Sequence, residues 1–131
     1  MNNLISIFVY GTLRPPRPGT RLDDSRFYPE IAPYVVSATP ARVEDAVLYD
    51  HGAYPCARSG AGTVYGELLQ VKAEALAIAD HIEGHPHLFE RQRVAVHTDA
   101  GTEDAWIYWA SLELIENCPR IAGGDWFARQ Q

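Results

Sequence analysis

The sequence is poor in the features that mark several large classes of protein. It has 131 residues, two cysteines and a single lysine, and no apolar run approaches the roughly 20 residues that span a bilayer. Two cysteines are too few for a disulfide scaffold, and the ten arginines are scattered rather than clustered. The net charge is -6. Because such a surface repels phosphate backbones, a nucleic-acid partner is not expected, and the lack of a long apolar run argues against a membrane.

The remaining composition is that of an ordinary globular protein. Apolar residues make up 47% and charged residues 21%, which argues against intrinsic disorder. This length suits one hydrophobic core, so residues 1–131 are predicted to form a single domain. The first three residues carry no basic side chain and no small-residue cleavage site follows the first apolar run, so a signal peptide is not expected. We therefore predict a cytoplasmic protein with free thiols at Cys56 and Cys118.

Hydrophobic patterns predict several strands. Residues 4–10 are almost all β-branched, aromatic or aliphatic, which is typical of a central strand covered on both faces. Further β-prone segments, each bounded by turn-forming residues, are 34–37, 42–49, 62–71, 91–97 and 105–110. The last two predict a hairpin, because Asp99-Ala100-Gly101 lies between them.

One helix is predicted after residue 71, where the spacing of apolar residues changes. Gly84 stands where a C-terminal cap belongs. The predicted apolar stripe consists of Val71, Ala75, Ile78 and Ile82, flanked by Leu76 and Ala79. Many strands and one clear helix predict the α+β class, with a curled sheet or small barrel packed on the helix.

Glu83 is a candidate for proton transfer. It falls in the last turn of the predicted helix, where the macrodipole disfavours another negative charge, and Asp80 lies one turn earlier on the same side. Both effects are expected to raise the pKa of Glu83. If the side chain points into an apolar cavity, desolvation raises the pKa further and produces a proton shuttle near neutral pH. The alternative is a solvated carboxylate at the helix end.

The second candidate is Tyr10-Gly11-Thr12-Leu13, at the end of the first predicted strand. Successive backbone N–H groups in a sharp turn can converge on an anion or a developing oxyanion. A side chain at Gly11 is expected either to block a close approach or to exclude the required backbone angles. The alternative is that Gly11 serves the turn alone. The segment lacks the features of a nucleotide-binding loop.

Three histidines raise the question of a metal site. His81 and His85 are four residues apart, but Gly84 and Pro86 are expected to end the helix, which breaks the shared face that a helical metal pair requires. We therefore predict no metal, with His81, His85 and His87 exposed on a polar turn. A metal-dependent hydrolase that uses these histidines is the less favoured alternative.

Taken in order, these features resemble the γ-glutamyl cyclotransferase-like family, which includes the γ-glutamylamine cyclotransferases and AIG2-like proteins. The matching blocks are residues 8–14 (FVYGTLR), 52–55 (GAYP), 64–68 (VYGEL), 80–84 (DHIEG) followed by Arg91 and Val94, and 124–126 (GDW). The resemblance implies a small mixed β-barrel or curled sheet with flanking helices.

The resemblance also implies a reaction. The α-amine of a γ-glutamyl group attacks that group's own γ-carbonyl and releases 5-oxoproline and a free amine, without metal or cofactor. It makes Glu83 the catalytic acid and base, and it makes the main chain of residues 10–13 the binding loop for a small γ-glutamyl amine, amino acid or peptide. The alternative is a binding module of the same fold without turnover. The sequence does not identify the leaving amine or the oligomeric state.

Two features depart from the family pattern. Phe89 stands where relatives often carry tyrosine shortly before the arginine that Arg91 matches, so no phenolic hydroxyl is expected there. Pro15, Pro16 and Pro18 make the loop after Leu13 unusual, and we expect that loop to shape the leaving-group side of a pocket.

Overall fold

Five strands and three α-helices form within residues 3–129, the part of the chain that the computed structural model describes. The strands are β1 (Ile5–Val9), β2 (Val35–Asp50), β3 (Pro55–Val71), β4 (Phe89–Thr98) and β5 (Gly101–Ala110). The α-helices are α1 (Tyr28–Ile31), α2 (Ala73–Glu83) and α3 (Leu112–Ile115), and single 3₁₀ turns cover Leu22–Ser25, Ala32–Tyr34 and Trp126–Ala128.

Residues 1, 2, 130 and 131 lie outside the described part of the chain. Residues 1 and 2 are two of the three N-terminal residues on which the argument against a signal peptide rests. The prediction of a single domain over residues 1–131 stays a prediction. Within residues 3–129, no helix combines the length and apolar composition that crossing a membrane requires.

The strands form one mixed sheet that curls until its hydrogen-bonded pairs make a ring. The order is β1-β3-β2-β4-β5, and β5 returns to β1 through the parallel pair Ile7 and Trp106. The β1–β3, β2–β3 and β4–β5 pairs are antiparallel. The predicted α+β class, with a curled mixed sheet and flanking helices, is confirmed, and so is the hairpin of β4 and β5.

Strand β1 is covered on both faces, as its composition predicted. Its alternating side chains belong to two cores, because successive residues of a strand point to opposite faces. Phe8 packs inside the curl of the sheet together with Val43, Val64 and Ile107. Its neighbours along the strand, including Ile7 and Val9, pack on the other face against α2 and the 3₁₀ and α1 segments before β2.

The two longest strands exceed their predicted bounds. Segments 34–37 and 42–49 were expected to be separate, but β2 runs through Pro40, which is paired with Glu67 of β3. Proline is tolerated there because the other edge of β2 is paired only further on, where Arg42 meets His97. Strand β3 likewise begins at Pro55 rather than at residue 62, because the register with β2 continues to the end of the hairpin.

Helix α2 packs on the sheet through small side chains. Ala75 and Ala79 are completely buried, whereas Ile78 and Ile82, predicted to face the core, are only half-buried. The buried face is therefore rotated towards the alanines, which let the helix approach the sheet closely. Gly84 has φ 64 and caps the helix in the left-handed conformation, as predicted. The cap sets the end of α2 at Glu83.

Candidate active site

A cavity of about 250 Å³ lies where β1 leaves the sheet and α2 ends. Its wall includes the four residues of the predicted loop, Tyr10, Gly11, Thr12 and Leu13, together with Glu83. Most of the remaining wall is apolar or aromatic and comes from α2, β4, β5 and the segments before β2 and β3. The two candidates that the sequence singled out separately therefore line the same cavity.

Glu83 occupies the last position of α2 and carries the acidic side chain of this wall. Burial raises the pKa of Glu83 from 4.5 to about 7. Among residues 3–129, no cation forms an ion pair with it. The side chain is half-buried and lines the cavity, which disfavours the alternative of a solvated helix-end carboxylate, and the role of Glu83 in proton transfer stays a prediction.

Asp80 does not raise the pKa of Glu83, contrary to expectation. Its carboxylate accepts hydrogen bonds from Arg91 Nε at 2.9 and 3.1 Å and from Tyr108 Oη at 2.8 Å. The charge of Asp80 is thus compensated by a cation, and burial alone accounts for the raised pKa of Glu83. The same contacts attach the last turn of α2 to β4 and β5, which holds Glu83 in position.

The loop after β1 leaves backbone donors open. The carbonyl oxygen of Gly11 accepts from Arg14 N at 2.9 Å, and that of Thr12 accepts from Phe27 N at 3.1 Å. By contrast, the N–H groups of Gly11, Thr12 and Leu13 find no acceptor within the described part of the chain. Buried N–H groups are nearly always paired in folded proteins. Three open donors on a buried loop beside a cavity therefore favour a ligand with acceptor oxygens.

The lack of space around residue 11, rather than its backbone angles, explains why this residue is glycine. A Cβ atom at this position would lie 2.7 Å from Cγ and 2.8 Å from Cδ of Pro55. The φ angle of Gly11 is outside the left-handed region, so of the two expected effects of a side chain the exclusion of backbone angles does not apply. Any side chain here would push the loop away from the start of β3.

The Tyr10 side chain ties the cavity to the sheet. Its Oη donates to the carbonyl oxygen of Tyr108 at 2.6 Å and accepts from Ala57 N at 3.2 Å. Burial raises the pKa of Tyr10 well above its ordinary value, and the nearby Glu83 adds to the rise. The phenol is therefore a neutral cross-link among β1, β3 and β5, and only the main chain of Tyr10 remains a candidate for substrate contact.

A cluster of ion pairs anchors the end of the loop that leads into Arg14. This cluster was not predicted from the sequence. Arg14, 1% exposed, donates from Nε and Nη2 to both carboxylate oxygens of Glu67 at 2.7 and 2.8 Å. Its Nη1 donates to Asp125 Oδ1 at 2.8 Å, and its guanidinium lies 3.8 Å from the ring centroid of Phe127. Two features of the sequence could have indicated this cluster. Glu67 is an acidic residue among the apolar residues of β3, and Arg14 follows the loop directly.

The three histidines lie at and beyond the end of α2. His81 and His87 are exposed as predicted, but the prediction is wrong for His85, which is half-buried because its Nδ1 accepts from Arg91 N at 3.2 Å. Among residues 3–129, no three His, Cys, Asp or Glu side chains are grouped so that they would hold a metal ion. The absence of a metal or cofactor from the reaction stays a prediction.

Two other expectations about the pocket have different outcomes. None of Pro15, Pro16 and Pro18 lines the cavity, so the idea that their loop shapes it is wrong. Phe89 does line it, and its ring meets that of Tyr54 edge to face at 6.0 Å. The position where relatives often carry tyrosine thus contributes an apolar wall here.

The fold and the cavity together define a small α+β protein in which a half-buried carboxyl, with no ion-pair partner among residues 3–129, lines the same cavity as a loop of open backbone donors. Residues 7–128 match the family model described as "Gamma-glutamyl cyclotransferase, AIG2-like". The chain belongs to the γ-glutamyl cyclotransferase family.

Curated relatives agree with this assignment, and a solved structure shares the fold. The γ-glutamylcyclotransferase family protein ytfP of Citrobacter rodentium is 30% identical over 125 residues, which cover 95% of this chain and 97% of that protein. A Vibrio cholerae relative is 34% identical over 125 residues, covering 94% and 96%. The crystal structure of a Mus musculus AIG2-like protein superposes with a TM-score of 0.71 at 21% identity, covering 89% and 85%, and shows the same fold.

Proposed function

We propose that this protein is a cyclotransferase that converts a γ-glutamyl amine, amino acid or peptide into 5-oxoproline and a free amine. The observation that carries the proposal is the pairing, in one cavity, of the unpaired Glu83 with the open N–H groups of the loop. Intramolecular aminolysis needs one group that moves protons near neutral pH and one that stabilises negative charge on the carbonyl oxygen. The cavity offers both.

Glu83 is the proton carrier in this proposal. Its carboxylate takes a proton from the substrate's α-ammonium, and the freed amine attacks the γ-carbonyl carbon. The protonated Glu83 then delivers a proton to the leaving nitrogen, and the bond between that nitrogen and the γ-carbon breaks. Two protons leave the α-nitrogen on the way to the lactam and two reach the leaving nitrogen. One carboxyl that alternates between its two states therefore balances the reaction without a co-reactant.

In this proposal, the loop of residues 10–13 stabilises the negative charge that develops during the reaction. As the amine attacks, the γ-carbonyl oxygen becomes an oxyanion, which backbone N–H groups stabilise most effectively when they are already oriented. Gly11 and Thr12 are held by the hydrogen bonds of their carbonyl oxygens, so the donors need little reorganisation. The apolar wall limits competing water, which strengthens both interactions.

The direct test is an assay for 5-oxoproline with purified protein and a panel of γ-glutamyl amino acids, γ-glutamylamines and γ-glutamyl peptides. We expect equimolar release of 5-oxoproline and amine from at least one member of the panel. If 5-oxoproline binds but no member is converted, the alternative of a binding module without turnover is correct and the proposal fails.

A second assay tests whether the reaction requires a metal ion. The proposed chemistry uses protons and backbone dipoles only, so we expect full activity after exhaustive chelation. Loss of activity that zinc restores would instead favour a metal-dependent reaction at His81, His85 and His87.

A further inference from the structure

Arg26 lies at the rim of the cavity. Of the described residues that line it, only Arg26 carries a cationic side chain, and it is exposed to solvent. Glu83, by contrast, is half-buried and lines the same cavity. The cavity is thus electrically asymmetric, with a proton-transfer carboxyl inside and a permanent positive charge at the entrance.

The guanidinium of Arg26 is held in place but not neutralised. The following residue, Phe27, donates its N–H to Thr12 O at 3.1 Å, which fixes this segment against the loop. Nη2 of Arg26 donates to the carbonyl oxygen of Ala53 at 2.8 Å. Within residues 3–129, no carboxylate forms an ion pair with Arg26. A guanidinium has five N–H donors, so most of them remain open to an anion.

The position of Arg26 relative to the proposed chemistry suggests which part of a substrate it meets. The γ-glutamyl group must reach both Glu83 and the buried loop, so it occupies the inner end of the cavity. The leaving amine then extends towards the entrance. A planar guanidinium matches a carboxylate in geometry as well as charge.

Building on the proposed cyclotransferase function, we infer that Arg26 is a specificity-determining residue that binds a carboxylate on the leaving group. The favoured substrates are therefore γ-glutamyl amino acids or short peptides, rather than γ-glutamyl derivatives of neutral or cationic amines. The net charge of -6 makes this local cation more important, because the rest of the surface repels anions.

A pair of substrates that differ only in the carboxylate provides the test. L-γ-Glutamyl-L-alanine carries it, and L-γ-glutamyl-L-alaninamide replaces it with a neutral amide. An exposed charge-assisted hydrogen bond changes kcat/KM by roughly tenfold to a hundredfold. We expect wild-type protein to prefer the acid by such a factor, and we expect Arg26→Gln to reduce the ratio of the two kcat/KM values to near one.

Arg93→Gln is the matched control. Arg93 is exposed on β4, lies outside the cavity and carries the same charge, so its loss tests the general effect of net charge. The preference for the acid should survive in this variant. If the Arg93 variant loses the preference to the same extent, the effect is general electrostatics and the assignment of Arg26 is overturned.

The remaining outcomes separate the two proposals. Equal wild-type rates on the acid and the amide overturn the role of Arg26 and leave the proposed function standing. An equal loss on both substrates in Arg26→Gln means that Arg26 contacts the γ-glutamyl group itself, which also overturns the inference. If neither these substrates nor the wider panel releases 5-oxoproline, the proposed function fails and the inference fails with it.

Discussion

Glu67 and Glu83 are two carboxylates withdrawn from water in the same small protein, but their surroundings differ. Glu67 is 6% exposed and both of its oxygens accept hydrogen bonds from Arg14. Glu83 lines a largely apolar cavity and has no ion-pair partner among residues 3–129, and burial raises its pKa to about 7. A buried carboxyl with a bidentate arginine joins segments of the fold. A buried carboxyl without one becomes able to take up and release a proton near neutral pH.

The two carboxylates act on the same loop from different directions. Arg14 follows Leu13 directly, so its pairing with Glu67 secures the end of the loop to β3. Asp125 adds a contact from the C-terminal segment. Glu83 lines the same cavity as that loop. We therefore expect that removing the charge of Glu67 affects the stability of the fold and that removing the charge of Glu83 affects turnover.

The largest expected effect is that of Glu83→Gln on turnover. The amide cannot exchange a proton, so we expect kcat for 5-oxoproline release to fall about a hundredfold to ten-thousandfold. The fold and the binding of 5-oxoproline should remain nearly intact, since the backbone donors are unchanged. Glu74→Gln, an exposed change on the same helix, is the control and should be active. Wild-type turnover in the Glu83 variant would contradict the account.

Glu67→Gln should act on stability. It leaves the buried Arg14 guanidinium without its bidentate partner, and breaking a buried ion pair costs about 3–5 kcal/mol of unfolding free energy. Urea denaturation at pH 8 measures the loss. Glu83→Gln at the same pH should be at least as stable as wild type, because it removes an unpaired buried charge. Equal destabilisation by the two changes would erase the distinction between the carboxyls.

The pH dependence of stability sharpens the same contrast. The pKa of Glu83 is higher in the folded state, at about 7, than its ordinary 4.5. The folded state therefore binds the proton more tightly, and the contribution of Glu83 to stability is lost as pH rises from 4.5 through about 7. At about 1.4 kcal/mol per pKa unit, the full rise from 4.5 to about 7 corresponds to a loss of roughly 3.5 kcal/mol.

Urea denaturation of wild type and Glu83→Gln at pH 4.5 and pH 8 checks this. We expect the stability of the glutamine variant relative to wild type to increase between the two pH values. A difference that stays constant over this range would show that Glu83 is solvated in the folded protein.

Gly11→Val should have a smaller effect on catalysis than Glu83→Gln. The new side chain collides with the ring of Pro55 and displaces the loop, and misplacement by about 1 Å can lower kcat/KM about a hundredfold. Thr12→Ser keeps the main chain and should be mild. Circular dichroism must first show that the valine variant is folded. Unchanged 5-oxoproline binding in that folded variant, or equal damage by Thr12→Ser, would remove the role given to the loop.

Local patterns were sufficient to single out the two groups of residues that line the candidate site. Gly84 sets the helix end and hence the position of Glu83, and a glycine after a strand buried on both faces marks the loop. The mixed curled sheet could also be predicted from the sequence, although the order of its strands could not. These features depend on residues close together in the sequence or on alternation along one strand.

The missed features depend on distant contacts. Arg14 and Glu67 are 53 residues apart, and their pairing depends on the β1–β3 register. The burial of Glu83 depends on aromatic walls such as Phe89 and Tyr108, which come from two later strands. Likewise, Pro40 could be placed inside a strand only once its unpaired edge was known. A single sequence does not specify which separated segments become neighbours.

The most direct test of the central claim is the pH dependence of kcat/KM for 5-oxoproline release by wild-type protein. In the proposed mechanism Glu83 must be deprotonated to accept the first proton, so kcat/KM should fall on the acid side with an apparent pKa of about 7. An acid limb near 4.5 would mean that the catalytic carboxyl is solvated, and it would contradict the assignment of the proton shuttle to the buried, unpaired Glu83.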